Sequence, residues 1–221
     1  MASPDSKDLL ARLKGIRAQV DGRLRGTRPV AAALGAGIDR KTYVAYLSRV
    51  ASQYAPHSPE VMSLAAGRCI TSRPALGVYL LRHAADERGH NEWAADDLRD
   101  LKVTRAAAAA ARPVPACAAL IGYTHFLAAR GNPVGLYGWM YVLEAVGADL
   151  GADVARALKR GDHGLPARFV GGHGAADRKH IKEIEDQIAR HVTDPADQAD
   201  VVEAAEVTAD LYVRMFEQLA E

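Results

Sequence analysis

Hydrophobic positions recur three and four residues apart along nearly the whole chain, and alternating runs of β-branched and aromatic residues between hairpin turns are missing. The pattern predicts an all-α protein. Asp5 or Ser6 is placed to cap a first helix reaching about Arg25, and Asp39 to cap a second running through about Tyr54. Ser58-Pro59-Glu60 supplies a cap, a first-turn proline and an acidic first turn for a third. A long helix follows Pro74 and extends to about Lys102. The alanine-rich stretch from Arg105 to Arg112, closed by Pro113 and Pro115, reads as helix or as a flexible joint between two halves. Beyond it, helices are predicted from about Pro115 to Arg130, from Pro133 to Lys159, from Gly174 or a few residues earlier to Val192, and from Pro195 to Leu219. Connections such as Gly131-Asn132-Pro133 and Thr193-Asp194-Pro195 are short, which makes sequential helices antiparallel neighbours. The expectation is a single domain over residues 1–221, built as a bundle of seven or eight helices.

A chain of 221 residues, 49% of them hydrophobic, buries about 70% of its unfolded surface and needs no metal or disulfide merely to fold. Any metal site must therefore be justified by chemistry. A formal net charge of +1 and the lack of a dense Lys/Arg run argue against nucleic acid as a partner. Cys69 and Cys117 form neither a CxxC pair nor a disulfide framework, which suits a reducing compartment; the cytoplasm is the expected location. The first residues lack a basic region followed by an apolar core, and no window of about 18 uninterrupted apolar residues is present, so neither export nor a membrane is expected. A homodimer is the expected assembly, being the commonest among soluble oligomers.

Two segments share one spacing. His83-x3-Glu87-x2-His90 lies in the long helix after Pro74, and His173-x3-Asp177-x2-His180 lies in a later one. At about 100° per residue, positions i, i+4 and i+7 fall on one helix face. In both helices that face is the apolar one, continuing through Tyr79, Leu80, Ala94 and Leu98 in the first and Ile184 and Ile188 in the second. Ionisable groups on a core-facing stripe cost several kcal/mol each unless paired or coordinated. The run from Gly135 to Gly147 is apolar almost all round, which marks a central helix, and Glu144 is its one charge. Carboxylates and imidazoles converging from three helices suit two ferrous or manganous ions with five or six ligands each; zinc needs fewer ligands and often uses Cys.

This ordered set, Glu87-x2-His90, then Glu144 within Leu-Glu-Ala-Val-Gly-Ala-Asp-Leu-Gly, then His173-x3-Asp177-x2-His180, resembles the heme-oxygenase-like di-iron oxidases and oxygenases. The segment from Tyr137 to Leu158 is also similar to the distal-helix region of the wider superfamily that includes TenA-type and PqqC-type proteins, and the resemblance spans about residues 75–192. It implies a heme-oxygenase-like bundle whose metal ligands are Glu87, His90, Glu144, His173, Asp177 and His180, holding two ferrous ions. It also implies O2 and a small amine, amino-acid or carboxylic-acid substrate as partners, with an external electron donor where the reaction needs one. Some relatives carry a carboxylate where this chain has His83, so His83 reads either as an additional ligand or as a hydrogen-bonding group beside the ligands. No histidine lies between Lys7 and Arg25 to hold a haem iron, which argues against a true heme oxygenase.

Competing readings accompany these residues. A cofactor-free or organic-ligand-binding protein of the TenA or PqqC type would use the same histidines as acids, bases or hydrogen-bond groups. Tyr141 shares the Glu144 face at i−3 and Tyr137 at i−7, so either hydroxyl is placed to bond the ligand carboxylate or take part in catalysis, with core filling as the alternative. His125 reads as core packing or pocket lining, Tyr54-Ala-Pro-His57 as a pocket edge or a plain turn, His163 as a loop residue and His191 as part of a helix end.

Overall fold

The computed structural model describes residues 4–35, 37–160 and 164–219, with the side chains of residues 4, 5 and 173–176 outside the description. The side chains of the predicted cap Asp5 and of His173, and all of His163, therefore lie outside the described residues.

Every regular element among the described residues is helical. α1 (Pro4–Gly26) is followed by α2 (Arg28–Leu34) and α3 (Arg40–Tyr46), which runs through a π-helical turn at Leu47–Ala51 into the short α4 (Ser52–Tyr54). Then come α5 (His57–Cys69), α6 (Pro74–Glu87), α7 (His90–Asp100), α8 (Arg105–Ala110) and α9 (Pro115–Ala129). A 3-10 turn at Pro133–Gly135 leads into α10 (Leu136–Val146), which passes through a second π-helical turn at Gly147–Gly151 into α11 (Ala152–Arg160); α12 (Arg168–His191) and α13 (Pro195–Glu217) close the bundle.

α10 forms the centre. Tyr137, Trp139, Met140, Tyr141 and Val142 are all buried on it, as a helix apolar on every side demands. It packs against α1, α9, α12 and α13. Its approach to α13 depends on a missing side chain: a Cβ on Gly138 would lie 1.9 Å from the Val201 carbonyl oxygen. Gly172 similarly lets α12 cross the Trp93 ring, whose Cζ3 would be 2.7 Å from an added Cβ.

Several boundaries differ from the sequence-based expectation. The helix predicted from Pro74 to Lys102 is two helices, because Gly89 adopts φ +98°, a left-handed conformation that interrupts the i to i+4 ladder between α6 and α7. α2 is an additional short helix, started by Pro29 in its first turn. The alanine-rich stretch is helical, with the Thr104 hydroxyl accepting from the Ala107 amide at 3.1 Å. Ser6 lies within α1 instead of capping it and reaches the Ala189 carbonyl of α12. Asp39 does cap α3, accepting from the Thr42 amide at 2.9 Å.

The start of α12 is capped from a distance. Asp97 of α7, completely buried, accepts the backbone N–H of Arg168 at 3.1 Å and that of Phe169 at 3.0 Å. A carboxylate here satisfies two of the orphan amides of the first turn and lies at the positive end of the helix dipole.

Candidate metal centre

Four ionisable side chains converge where α6, α10 and α12 meet: His83 and Glu87 from α6, Glu144 from α10 and His180 from α12. One ligand-type atom from each lies within 4.8 Å of all the others. Glu144 is the hub. Its Oε1 accepts from His83 Nε2 at 2.9 Å, and His180 Nδ1 lies 3.2 Å from both carboxylate oxygens. Burial pushes the Glu144 carboxyl up, but the hydrogen bonds from His180 and His83 outweigh it and hold the group ionised, well below the usual range. For His180, burial disfavours the charged form, yet the hydrogen bond and charge of Glu144 leave its pKa raised.

Asp177, three residues before His180 and 2% exposed, lines the same cavity as Glu87 and Glu144. Burial, then the negative charge of Glu144, pushes its carboxyl well above the usual range. Asp177 Oδ1 and Glu87 Oε1 are both buried with no hydrogen-bond partner. Two orphaned carboxylate oxygens beside a third carboxylate and two imidazoles form a donor set with unused lone pairs, and a hard or borderline cation satisfies such a set directly. The residues present thus fit iron or manganese, with Glu87, Glu144, Asp177, His83 and His180 as the described donors.

The remaining predicted residues sit differently. His90 opens α7, just past the break at Gly89. Its Nδ1 is 3.0 Å from Glu87 Oε2 and its ring stacks on Trp93 with centroids 4.2 Å apart, so it orients Glu87; among the described residues the four-residue cluster does not include it. Tyr141 turns away from the cluster: its hydroxyl donates to Glu185 Oε1 at 3.3 Å and also meets Arg17, whose Nε donates to Asp149 Oδ2 at 2.6 Å. Tyr137 is likewise directed to Gln187, at 3.5 Å. The tyrosine beside the centre is Tyr79. In the sequence it is one position of the apolar stripe, and its i−4 spacing from His83 is the signal that places it here; its hydroxyl is 3.4 Å from His83 Nδ1.

An apolar cavity of about 160 Å³ opens onto these carboxylates. Tyr46, Trp139, Met140, Leu150, Phe169 and Phe216 contribute to its walls, while His83, Glu87, Glu144 and Asp177 are the only His, acidic or basic residues among the described residues lining it. The π-helical turn at Gly147–Gly151 places Gly147, Leu150 and Gly151 on the wall one turn beyond Glu144, a use of π-turns common at functional sites.

The all-helical bundle is the heme-oxygenase-like fold, and solved structures share that fold. A domain of unknown function from Shewanella denitrificans with a heme oxygenase-like fold superposes with a TM-score of 0.84 at 22% identity, covering 94% of this chain and 89% of the other. A TenA homologue from Pseudomonas syringae pv. tomato gives 0.80 at 15% identity over 99% and 93%, and one from P. horikoshii 0.76 at 12% over 96% and 97%. No curated protein sequence matches significantly. The sequence profile of the iron-containing redox enzymes matches residues 45–213, and the chain belongs to that family. Among the described residues, no helix is long and apolar enough to cross a membrane.

Proposed function

We propose that this protein is a non-haem di-iron oxidase or oxygenase that uses O2 on a small amine, amino-acid or carboxylic-acid substrate with an apolar body. The observation that carries the reading is the convergence of His83, Glu87, Glu144 and His180 with two unpartnered carboxylate oxygens at its edge, in a chain of the iron-containing redox family. Ferrous ions held there would supply O2 activation and electron transfer to the bound gas. Glu144, which meets His83 through Oε1 and His180 through both carboxylate oxygens, would be the central carboxylate holding such ions. His90 fixes the rotamer of Glu87, and Tyr79 backs His83, so the ligands are oriented before a cation arrives. Manganese suits the same donors.

The cavity sets the substrate class. Its walls are mostly apolar and, among the described residues, carry no Lys or Arg to receive a carboxylate, so an apolar body suits it while the amine or acid group points to the centre. Elemental analysis of protein reconstituted anaerobically with ferrous iron tests the assignment. About two irons per chain, with transient visible absorption after mixing with O2, is the expected result.

One observation favours a second reading. His83 and His180 already engage the Glu144 carboxylate as hydrogen-bond partners, an arrangement suited to cofactor-free acid–base chemistry on an organic ligand in a TenA-like bundle. Absence of stoichiometric iron after that reconstitution, with substrate turnover intact, would select it.

A further inference from the structure

A second set of ligand-type side chains lies at the junction of α5 and α9. His57, the first residue of α5, and Glu60 one turn later share a helix face, and His125 approaches from α9. One ligand atom from each lies within 4.8 Å of the others, and the two imidazole rings are 4.4 Å apart. We propose that His57, Glu60 and His125 form a separate binding site for one divalent cation of the zinc type, which ties the start of α5 to α9.

The chemistry of the set is that of a three-ligand zinc site, two imidazoles and one carboxylate with a further position for water. Around a tetrahedral zinc, ligand atoms stand about 3.4 Å apart. The exposed Glu60 and the half-buried His125 have the freedom to close from 4.8 Å to that spacing. His57 is the fixed member, 5% exposed, with its Nε2 2.9 Å from Thr124 Oγ1. The Thr124 hydroxyl also lies 3.0 Å from the Leu120 carbonyl, one turn back on α9. The Ile121 carbonyl is 3.1 Å away as well, so a helical threonine hydroxyl with two carbonyls in reach donates there, which assigns His57 the tautomer with Nε2–H toward Thr124 and Nδ1 as the lone-pair nitrogen. A hydrogen bond that fixes the tautomer of a histidine from behind is the support metal-binding imidazoles regularly have.

The position gives the site a consequence. Tyr54, Ala55, Ser58 and Met62, immediately around His57 in the chain, line the apolar cavity, whereas none of the three proposed ligands does. A cation here fixes one wall of the cavity without touching the central cluster, and it does not depend on what that cluster binds.

Glu60→Gln and His125→Gln, both at accessible side chains, test the proposal by zinc titration, elemental analysis after desalting, and melting temperature with and without zinc. The same measurements are made on His180→Ala, in which the central cluster is disabled. About one zinc per chain beyond the central site, with a zinc-dependent rise in melting temperature, is expected in the wild type and in His180→Ala, and its loss in Glu60→Gln and His125→Gln. Equal zinc content and equal thermal shift in the wild type and both α5/α9 variants overturns the proposal. So does binding that disappears only in His180→Ala.

Discussion

The Asp97 carboxylate accepts the Phe169 amide at 3.0 Å, so a residue of α7 caps the helix that carries Asp177 and His180. This contact couples the stability of the bundle to the position of two candidate ligands. Asp97→Ala removes the acceptor of two part-buried amides at the start of α12 and a charge from the favourable end of its dipole. A loss of about 1–3 kcal/mol in unfolding free energy is expected. Denaturant unfolding measures it, and an unchanged midpoint would refute the capping account. Weaker retention of iron through desalting should accompany the loss of stability.

The α10–α13 crossing makes a sharper demand. A methyl group on Gly138 would stand 1.9 Å from the Val201 carbonyl oxygen and 2.9 Å from the Ala205 amide nitrogen, and neither backbone atom can yield without moving a helix. Gly138→Ala is expected to cost about 3 kcal/mol or more. Gly122 of α9 has no atom within 4 Å of an added Cβ. Gly122→Ala should therefore stabilise by about 0.5–1 kcal/mol through helix propensity. Thermal melts of the pair settle the point, because a purely propensity-based effect would shift both in the same direction.

At the central cluster, Glu144→Ala and His180→Ala should each lower iron content, whereas Tyr141→Phe should leave it unchanged, since that hydroxyl serves Glu185 and Arg17. Far-UV circular dichroism on each variant separates ligand loss from unfolding. Full iron loading and turnover in both ligand variants would remove the centre from the proposed function.

The helical class and most element boundaries were legible because amphipathic spacing and proline or aspartate starts act locally, as at Asp39 and Pro195. Glu144 stood out for the same kind of reason, as the one charge in a run apolar on all sides. What the spacing could not reveal was long-range. His83, Glu87 and His90 read as lying on one continuous helix because a glycine inside a helical pattern is usually tolerated, and only the φ of +98° at Gly89 shows that the helix breaks there. Tyr141 was misplaced because a helix buried all round offers no polar side from which to read orientation; Glu185 and Arg17, distant in sequence, draw its hydroxyl. Asp97 caps a helix start far along the chain, beyond any local signal. His57 reads from the sequence as a pocket edge or a plain turn and His125 as core packing or pocket lining, and only the packing of α5 on α9 brings their rings together.

That packing also gives a pH signature in chelator-treated protein. Burial, followed by repulsion from His125, lowers the His57 pKa from 6.5 to about 4. The folded state then binds fewer protons than the unfolded state between those values. Stability from this group is unaffected above about 6.5, falls as the pH drops through the interval, and levels off below about 4. His57→Gln can still donate to Thr124 while removing the titration. Melting temperatures of the wild type and His57→Gln, taken from pH 7 to pH 4, should therefore converge or cross toward acid, with the wild type losing more. Parallel curves would show that His57 titrates normally in the folded protein.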